Sequence, residues 1–95
     1  MAQDDETRGV RAAMCAAAVE EGWDAALAQR LADVAVRRWR SFERRTRPNK
    51  RTPQARLQDL IQGLRQASPV DEIYLEPGDF ERLAPRFAGL LAELP

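Results

Sequence analysis

The strongest constraint on the fold is a stripe of apolar residues at helical spacing along the middle of the chain. Its members are Trp23, Leu27, Leu31, Val34, Ala35 and Phe42, which share one face when successive residues are placed 100° apart. Asp24 occupies the N-cap position before this stripe, and the pattern continues to Arg45 or Thr46. A helix of about 22 residues is roughly 33 Å long. The stripe therefore predicts one long central helix.

Two further helical patterns flank the central one. The first runs from about Asp5 to Glu21, carries acids in its first turn and has Gly22 as its stop signal. The other begins at Thr52 as N-cap with Pro53 in the first helical position, and it ends near Ala67. One face of this third helix is apolar and consists of Leu57, Leu60, Ile61 and Leu64.

The C-terminal region predicts a last helix after the turn at residues 77–79. Its apolar stripe consists of Phe80, Leu83, Ala84, Phe87, Leu90, Leu91 and Leu94. Pro85 lies inside this stripe and should kink or split the helix, because proline lacks an amide proton and clashes with the preceding turn. Residues 70–76 fit either a short helix or an extended connector, and the alternation at residues 73–75 favours the connector.

These patterns predict an all-α fold with residues 1–95 in a single domain. We expect a compact bundle of about four helices, with one long central helix and a Pro-kinked C-terminal helix. The leucines at the C-terminus form an apolar end that one small domain leaves partly uncovered. A homodimer through Leu90, Leu91 and Leu94 is therefore expected.

The composition argues against an enzyme. Histidine, the usual general base near neutral pH and the commonest metal ligand, is absent, and Cys15 is the single cysteine. The five glycines are scattered singly, so no phosphate-binding loop is formed. We therefore expect no catalytic residues, no metal and no cofactor. An acidic N-terminal segment and the lack of a long apolar run predict a cytoplasmic protein without a membrane span.

Basic residues are concentrated in one segment, residues 37–51, which reads RRWRSFERRTRPNKR. Eight of the 15 basic residues of the chain lie there with one acid, so the segment carries 8 − 1 = +7. Residues 1–36 carry 3 − 7 = −4 and residues 52–95 carry 4 − 7 = −3. The neutral net charge of the chain thus conceals a polarised molecule, and concentrated charge attracts a partner of opposite sign.

The preferred hypothesis for this segment is a nucleic-acid-binding or regulatory module. The candidate binding residues are Arg37, Arg38, Trp39, Arg40, Arg44, Arg45, Arg47, Lys50 and Arg51. A row of arginines on the outward edge of the second helix would follow phosphates, and aromatic residues between them would stack on bases. The start of the third helix at Thr52 would offer backbone amides to a further phosphate.

The alternative hypothesis is a protein–protein adaptor, inhibitor or assembly factor that presents the same surface to an acidic partner protein. Small regulatory proteins of phages and mobile elements are of this size and helical make-up. A third interpretation is a solvated face without a partner. In that case Asp33–Arg37 and Glu43–Arg47 would form i, i+4 ion pairs. The acidic terminal segments would then fold against Arg38 and Arg45, which continue the apolar stripe, and Trp39 and Phe42 would be core residues.

Overall fold

The computed structural model describes residues 2–67 and 79–94, with side-chain surroundings described for residues 7–66 and 80–94. Within these residues the chain forms α1 (Ala2–Glu20), α2 (Ala25–Arg45), α3 (Pro53–Ala67) and α4 (Asp79–Leu91). A single 3₁₀ turn, Pro48–Lys50, lies between α2 and α3. This described part contains no β-strand, and the expectation of an all-α bundle of about four helices is confirmed. The connector expected at residues 70–76 lies outside the described residues.

Helix α2 is the central element of the bundle. It packs against α1 and α3 and also contacts α4, while α4 closes the bundle by contacting α1 and α3. Its 21 residues correspond to a length of about 31 Å. The side chain of Asp24 caps this helix by accepting hydrogen bonds from the amides of Ala26 at 3.1 Å and Leu27 at 3.3 Å. The expected position of the long central helix is thus confirmed.

The reversal between α1 and α2 depends on glycine. Gly22 has a φ of 96°, a left-handed conformation that side chains other than hydrogen disfavour. The amide of Gly22 donates to the carbonyl of Val19, and the amide of Trp23 donates to that of Ala18, both at 3.0 Å. At its other end α1 begins at Ala2, three residues before the expected start at Asp5, because acids in a first turn favour the helix.

The core lies where the apolar faces of the four helices meet. Its fully buried larger side chains are Met14, Leu31, Val36, Leu60, Leu64, Leu83, Phe87 and Leu91. The rings of Trp23 and Phe80 pack at a centroid distance of 5.2 Å and an angle of 54°. This packing corrects the expected dimer surface. Leu91 is 0 % exposed and belongs to the chain's own core, while Leu90 and Leu94 are half-buried against that core.

Helix α4 runs through Pro85 without interruption. The proline lacks an amide proton, so the carbonyl of Glu81 one turn earlier receives no bond from it. Pro85 is exposed, whereas Phe80, Leu83 and Phe87 on the opposite side of the helix are buried. Of the two outcomes expected at this position, a kinked helix or a split one, the continuous helix excludes the split. The burial of the apolar face offsets the missing hydrogen bond.

Candidate nucleic-acid interface

Two arginines of the basic segment join α2 to α3. The guanidinium Nη2 of Arg38 donates to Asp59 Oδ1 at 3.1 Å, and Nη2 of Arg45 donates to the same oxygen at 3.2 Å. The Asp59 side chain is 14 % exposed. Asp59 belongs to residues 52–95, one of the two acidic segments, so this contact agrees with the interpretation in which an acidic segment folds against Arg38 and Arg45. Both guanidiniums are thus engaged within the fold, with the Arg38 side chain 29 % exposed and the Arg45 side chain 55 % exposed.

Arg51 closes the C-terminal end of α2. Its Nε donates to the carbonyl of Thr46 at 2.9 Å, and its Nη2 donates to the carbonyl of Glu43. The last carbonyls of a helix lack intrahelical donors and carry partial negative charge, which a guanidinium satisfies. Arg51 was expected among the binding residues, but the structure uses this side chain as a cap for α2.

The i, i+4 ion pairs expected along α2 are absent. Asp33 lies 3.6 Å from Nε of Arg11 on α1, and Glu43 lies 3.9 Å from Nη1 of Arg56 on α3. Both carboxylates are thus turned toward neighbouring helices. Tertiary partners have replaced the local ones, and this leaves Arg37 and Arg47 without the carboxylates that the sequence assigned to them.

Two arginines of α3 and α4, outside the basic segment, are also paired. Arg65 forms an ion pair with Glu81, and Arg86 donates to Glu20 at 2.7 Å and to Glu21 at 3.0 Å. These hydrogen bonds raise the pKa of the Arg86 guanidinium above its usual value. Arg8 and Arg82 are not free either.

Six cations remain, and none of their side chains makes an ion pair or a hydrogen bond with a described residue. We name them the outer basic row, which consists of Arg30, Arg37, Arg40, Arg44, Arg47 and Lys50. The first four lie on the side of α2 that faces away from the buried Leu31, and the last two lie in the following loop. From Arg30 to Arg44 the row extends for about 21 Å along the helix axis. All six are exposed except Arg40, which is partly buried.

Arg30 was not among the residues expected from the sequence. It lies outside the dense basic segment, so a search by charge density does not include it. Its spacing nevertheless indicates that it shares a side of α2 with two other arginines, because Arg30, Arg37 and Arg44 follow one another at intervals of seven residues. Residues seven apart lie close to one line along an α-helix.

The aromatic residues of the basic segment belong to the core. Trp39 and Phe42 are each 8 % exposed. The guanidinium of Arg56 lies over the Trp39 ring, 5.0 Å from its centroid, which is a cation–π arrangement. The expectation that Trp39 would stack on a base or anchor a partner is corrected, because its ring is covered by the chain itself.

A cleft of about 460 Å³ opens between α1 and α2 beside the outer basic row. Its lining consists of Arg11, Val34, Val36, Arg37, Arg38, Arg40, Ser41 and Arg44. Five of these eight residues are arginines and none is acidic. The cleft therefore joins the positive side of α2 to one cation of α1.

The start of α3 offers few donors to an anion. Pro53 has no amide proton, and the Thr52 hydroxyl accepts the hydrogen bond of the Ala55 amide at 3.1 Å. The Thr52 carbonyl accepts from the amide of Arg56 at 3.0 Å. A phosphate at this helix end would therefore find most first-turn donors engaged or missing, and the phosphate contact expected at Thr52 is weakly supported.

Three further findings bear on function. The described residues contain no group of three or more Cys, Asp or Glu placed to hold a metal ion. None of the described helices is long and apolar enough to cross a bilayer. Comparison of the chain with protein-family models, with curated proteins and with solved structures found no match.

Proposed function

We propose that the chain is a non-enzymatic nucleic-acid-binding module whose outer basic row contacts the phosphates of a duplex. One observation carries the proposal. The cations without an intramolecular partner all lie on the outward side of α2 and on the loop after it, whereas the other cations of the described chain are engaged within the fold. The unpaired charge is thus collected on one edge of the molecule.

The dimensions of the row suit a phosphate backbone. The part of the row on α2 is about 21 Å long and holds four arginines, so it can contact up to about four phosphates of the backbone. Arginine presents a planar fork of donors that matches phosphate oxygens, and binding releases condensed counterions. Because these side chains have no partner among the described residues, no ion pair within that part of the chain has to break on binding.

The burial of the aromatic residues favours a duplex over a single strand. Proteins that bind single strands stack bases on exposed aromatic rings, whereas Trp39 and Phe42 are buried. The same finding weakens the protein-binding alternative, since the core of a protein interface is usually apolar or aromatic. Val19 on α1, 46 % exposed, is the large hydrophobic side chain exposed in the described part of the chain. Phosphate contacts need no apolar residues.

A pair of substitutions on the row tests the proposal. Arg40→Gln with Arg44→Gln removes two positive charges from the outward side of α2, away from the buried Leu31. We expect duplex affinity, measured by fluorescence anisotropy with a 20-base-pair random duplex, to fall at least tenfold, since each phosphate contact contributes roughly 1 kcal/mol or more. Stability should change by no more than about 0.5 kcal/mol per site.

A matched control separates contact from net charge. Gln62→Glu with Gln66→Glu also changes the net charge by two, at exposed positions near the end of α3. This control should lower affinity by less than about threefold in 0.15 M salt, where charges farther apart than about 8 Å are largely screened. Equal losses in both double variants would contradict a localised interface. Binding to an acidic protein, with no duplex binding at low salt, would favour the adaptor alternative.

The homodimer stays a separate prediction. Leu91 is unavailable because it is buried, so an interface would have to use the half-buried Leu90 and Leu94. If this end of α4 mediates self-association, Leu90→Ser with Leu94→Ser should shift the chain from dimer to monomer. Light scattering of the unmodified chain at high micromolar concentration tests this directly, and a monomer there would contradict a dimer.

A further inference from the structure

The cleft between α1 and α2 differs from the rest of the basic surface because it is concave and receives side chains from two helices. Arg11 of α1 lines one side, and Arg37, Arg40 and Arg44 of α2 line the other. Its volume of about 460 Å³ lies within the range of roughly 300–1,000 Å³ that small-molecule sites occupy. Concave surfaces lined by charge of one sign concentrate the potential more than a flat surface does.

The lining arginines differ in how available they are. Arg37, Arg40 and Arg44 have no intramolecular partner among the described residues. Arg11 has one carboxylate contact, to Asp33 at 3.6 Å, and its side chain is 39 % exposed. Arg38 contributes to the wall, but its guanidinium is held by Asp59. Four of the lining guanidiniums are therefore at most weakly engaged, and the one carboxylate that contacts any of them, Asp33, is not part of the lining.

The apolar part of the lining indicates what the anion is attached to. Val34 is half-buried beside the arginines and presents apolar surface to the cleft, whereas Val36, 2 % exposed, belongs to the core and presents almost none. An inorganic anion gains nothing from the surface of Val34, whereas a sugar or a base can pack against it. From the charge, the concavity and Val34 together, we infer that the cleft binds a phosphomonoester group carried by a nucleoside.

This inference goes beyond the proposed function, because it concerns a compact terminal phosphate and not the internal phosphodiesters of a duplex. A nucleoside phosphomonoester occurs as a free nucleotide and as the 5′ end of a nucleic-acid strand. Both present the same dianionic group, which carries more charge than a backbone phosphate and more acceptor oxygens for several arginines.

Calorimetry with defined probes distinguishes the two sources. AMP should bind, adenosine should not, and inorganic phosphate should bind at least threefold more weakly than AMP if Val34 contributes. A 12-nucleotide single strand with a 5′-phosphate should bind about tenfold more tightly than the 5′-hydroxyl strand if a strand end is the ligand. Binding of AMP without that difference assigns the cleft to free nucleotides. If neither AMP nor the 5′-phosphate gives a measurable gain, the inference is overturned.

Single substitutions separate the cleft from the outer basic row. Arg11→Gln changes the cleft alone, and we expect it to weaken binding of the phosphomonoester probe about fivefold while duplex affinity stays within twofold. Lys50→Gln changes the loop alone and should weaken duplex binding without affecting the phosphomonoester probe. Because the Arg11–Asp33 pair is largely exposed, its loss should not unfold the chain.

Asp33→Asn should change the affinity for the phosphomonoester probe in the opposite direction. It removes the one carboxylate that contacts Arg11, so it should strengthen binding of the phosphomonoester probe about twofold to threefold. Circular dichroism of each variant verifies the helical fold. If Arg11→Gln and Lys50→Gln affect both ligands equally, the cleft is not a separate site. The two proposals fail independently, since absence of duplex binding by the unmodified chain leaves its AMP measurement unaffected.

Discussion

The carboxylate of Asp59 on α3 holds two arginines of the basic segment against the fold. Its Oδ1 accepts hydrogen bonds from both Arg38 and Arg45, and its side chain is 14 % exposed. We expect Asp59→Asn to keep the shape of the side chain and one acceptor while removing the charge. The two guanidiniums would then lack a counter-charge where α2 and α3 meet.

The loss in free energy of unfolding expected for Asp59→Asn depends on how exposed Arg38 and Arg45 are. The Arg38 side chain is 29 % exposed, and a partly buried hydrogen bond to a charged group contributes about 1.5–3 kcal/mol. The Arg45 side chain is 55 % exposed, and an exposed pair contributes about 0.5 kcal/mol. Because asparagine retains an acceptor, Asp59→Asn should lower the free energy of unfolding by about 1–2 kcal/mol.

Urea unfolding with a circular dichroism readout measures this loss as a lower midpoint at unchanged slope. Arg45→Gln is the matched control, which removes the exposed pair and the exposed hydrogen bond from Arg45 Nε to Ser41 Oγ, and it should cost no more than about 0.5–1 kcal/mol. Duplex affinity of Asp59→Asn should not fall, since the change leaves every cation of the outer basic row in place. A loss in stability below about 0.5 kcal/mol, or one smaller than that of Arg45→Gln, would refute this reasoning.

Two other substitutions probe the packing. Leu60→Ala removes a side chain that is 1 % exposed and should cost about 2–5 kcal/mol in thermal or urea unfolding, and an unchanged stability would contradict its place in the core. Gly63→Ala would place a Cβ 2.6 Å from Cγ of Arg38, so we expect a loss of about 1–3 kcal/mol despite the better helix propensity of alanine. Gly9→Ala, with nothing within 4 Å of the added carbon, is its control and should gain up to about 1 kcal/mol in the same assay. Losses of equal size in the two variants would show that contact with Arg38 is not the cause.

The helices could be predicted because their signals are local. The apolar stripe from Trp23 to Phe42, the cap at Asp24 and the stop at Gly22 each act within a few residues, and the structure places all three as expected. The start of α1 and the continuity of α4 through Pro85 were less predictable. The position of a helix end depends on small free-energy differences, so the start of α1 is hard to predict. In α4 the burial of the apolar face outweighs the one hydrogen bond that Pro85 removes.

The candidate site was only partly predictable, because charge density does not specify which cations are used internally. The sequence places Arg38 and Arg45 on the continuation of the apolar stripe, yet the charge density also placed both among the candidate binding residues. Their partner, Asp59, lies 21 residues after Arg38, and no local pattern reveals such a pairing. Trp39 illustrates the same limit, since its burial depends on contacts with other helices and its sequence neighbours are charged.

The salt dependence of duplex binding tests the central claim most directly. Each phosphate neutralised lowers the slope of log K against log salt by about 0.9, so contact by four to six cations of the outer basic row predicts a slope of about −3.6 to −5.4. Arg40→Gln should make the slope shallower by about one for random duplexes of any sequence. A slope near zero, or a slope that Arg40→Gln leaves unchanged, would contradict phosphate contact by this row.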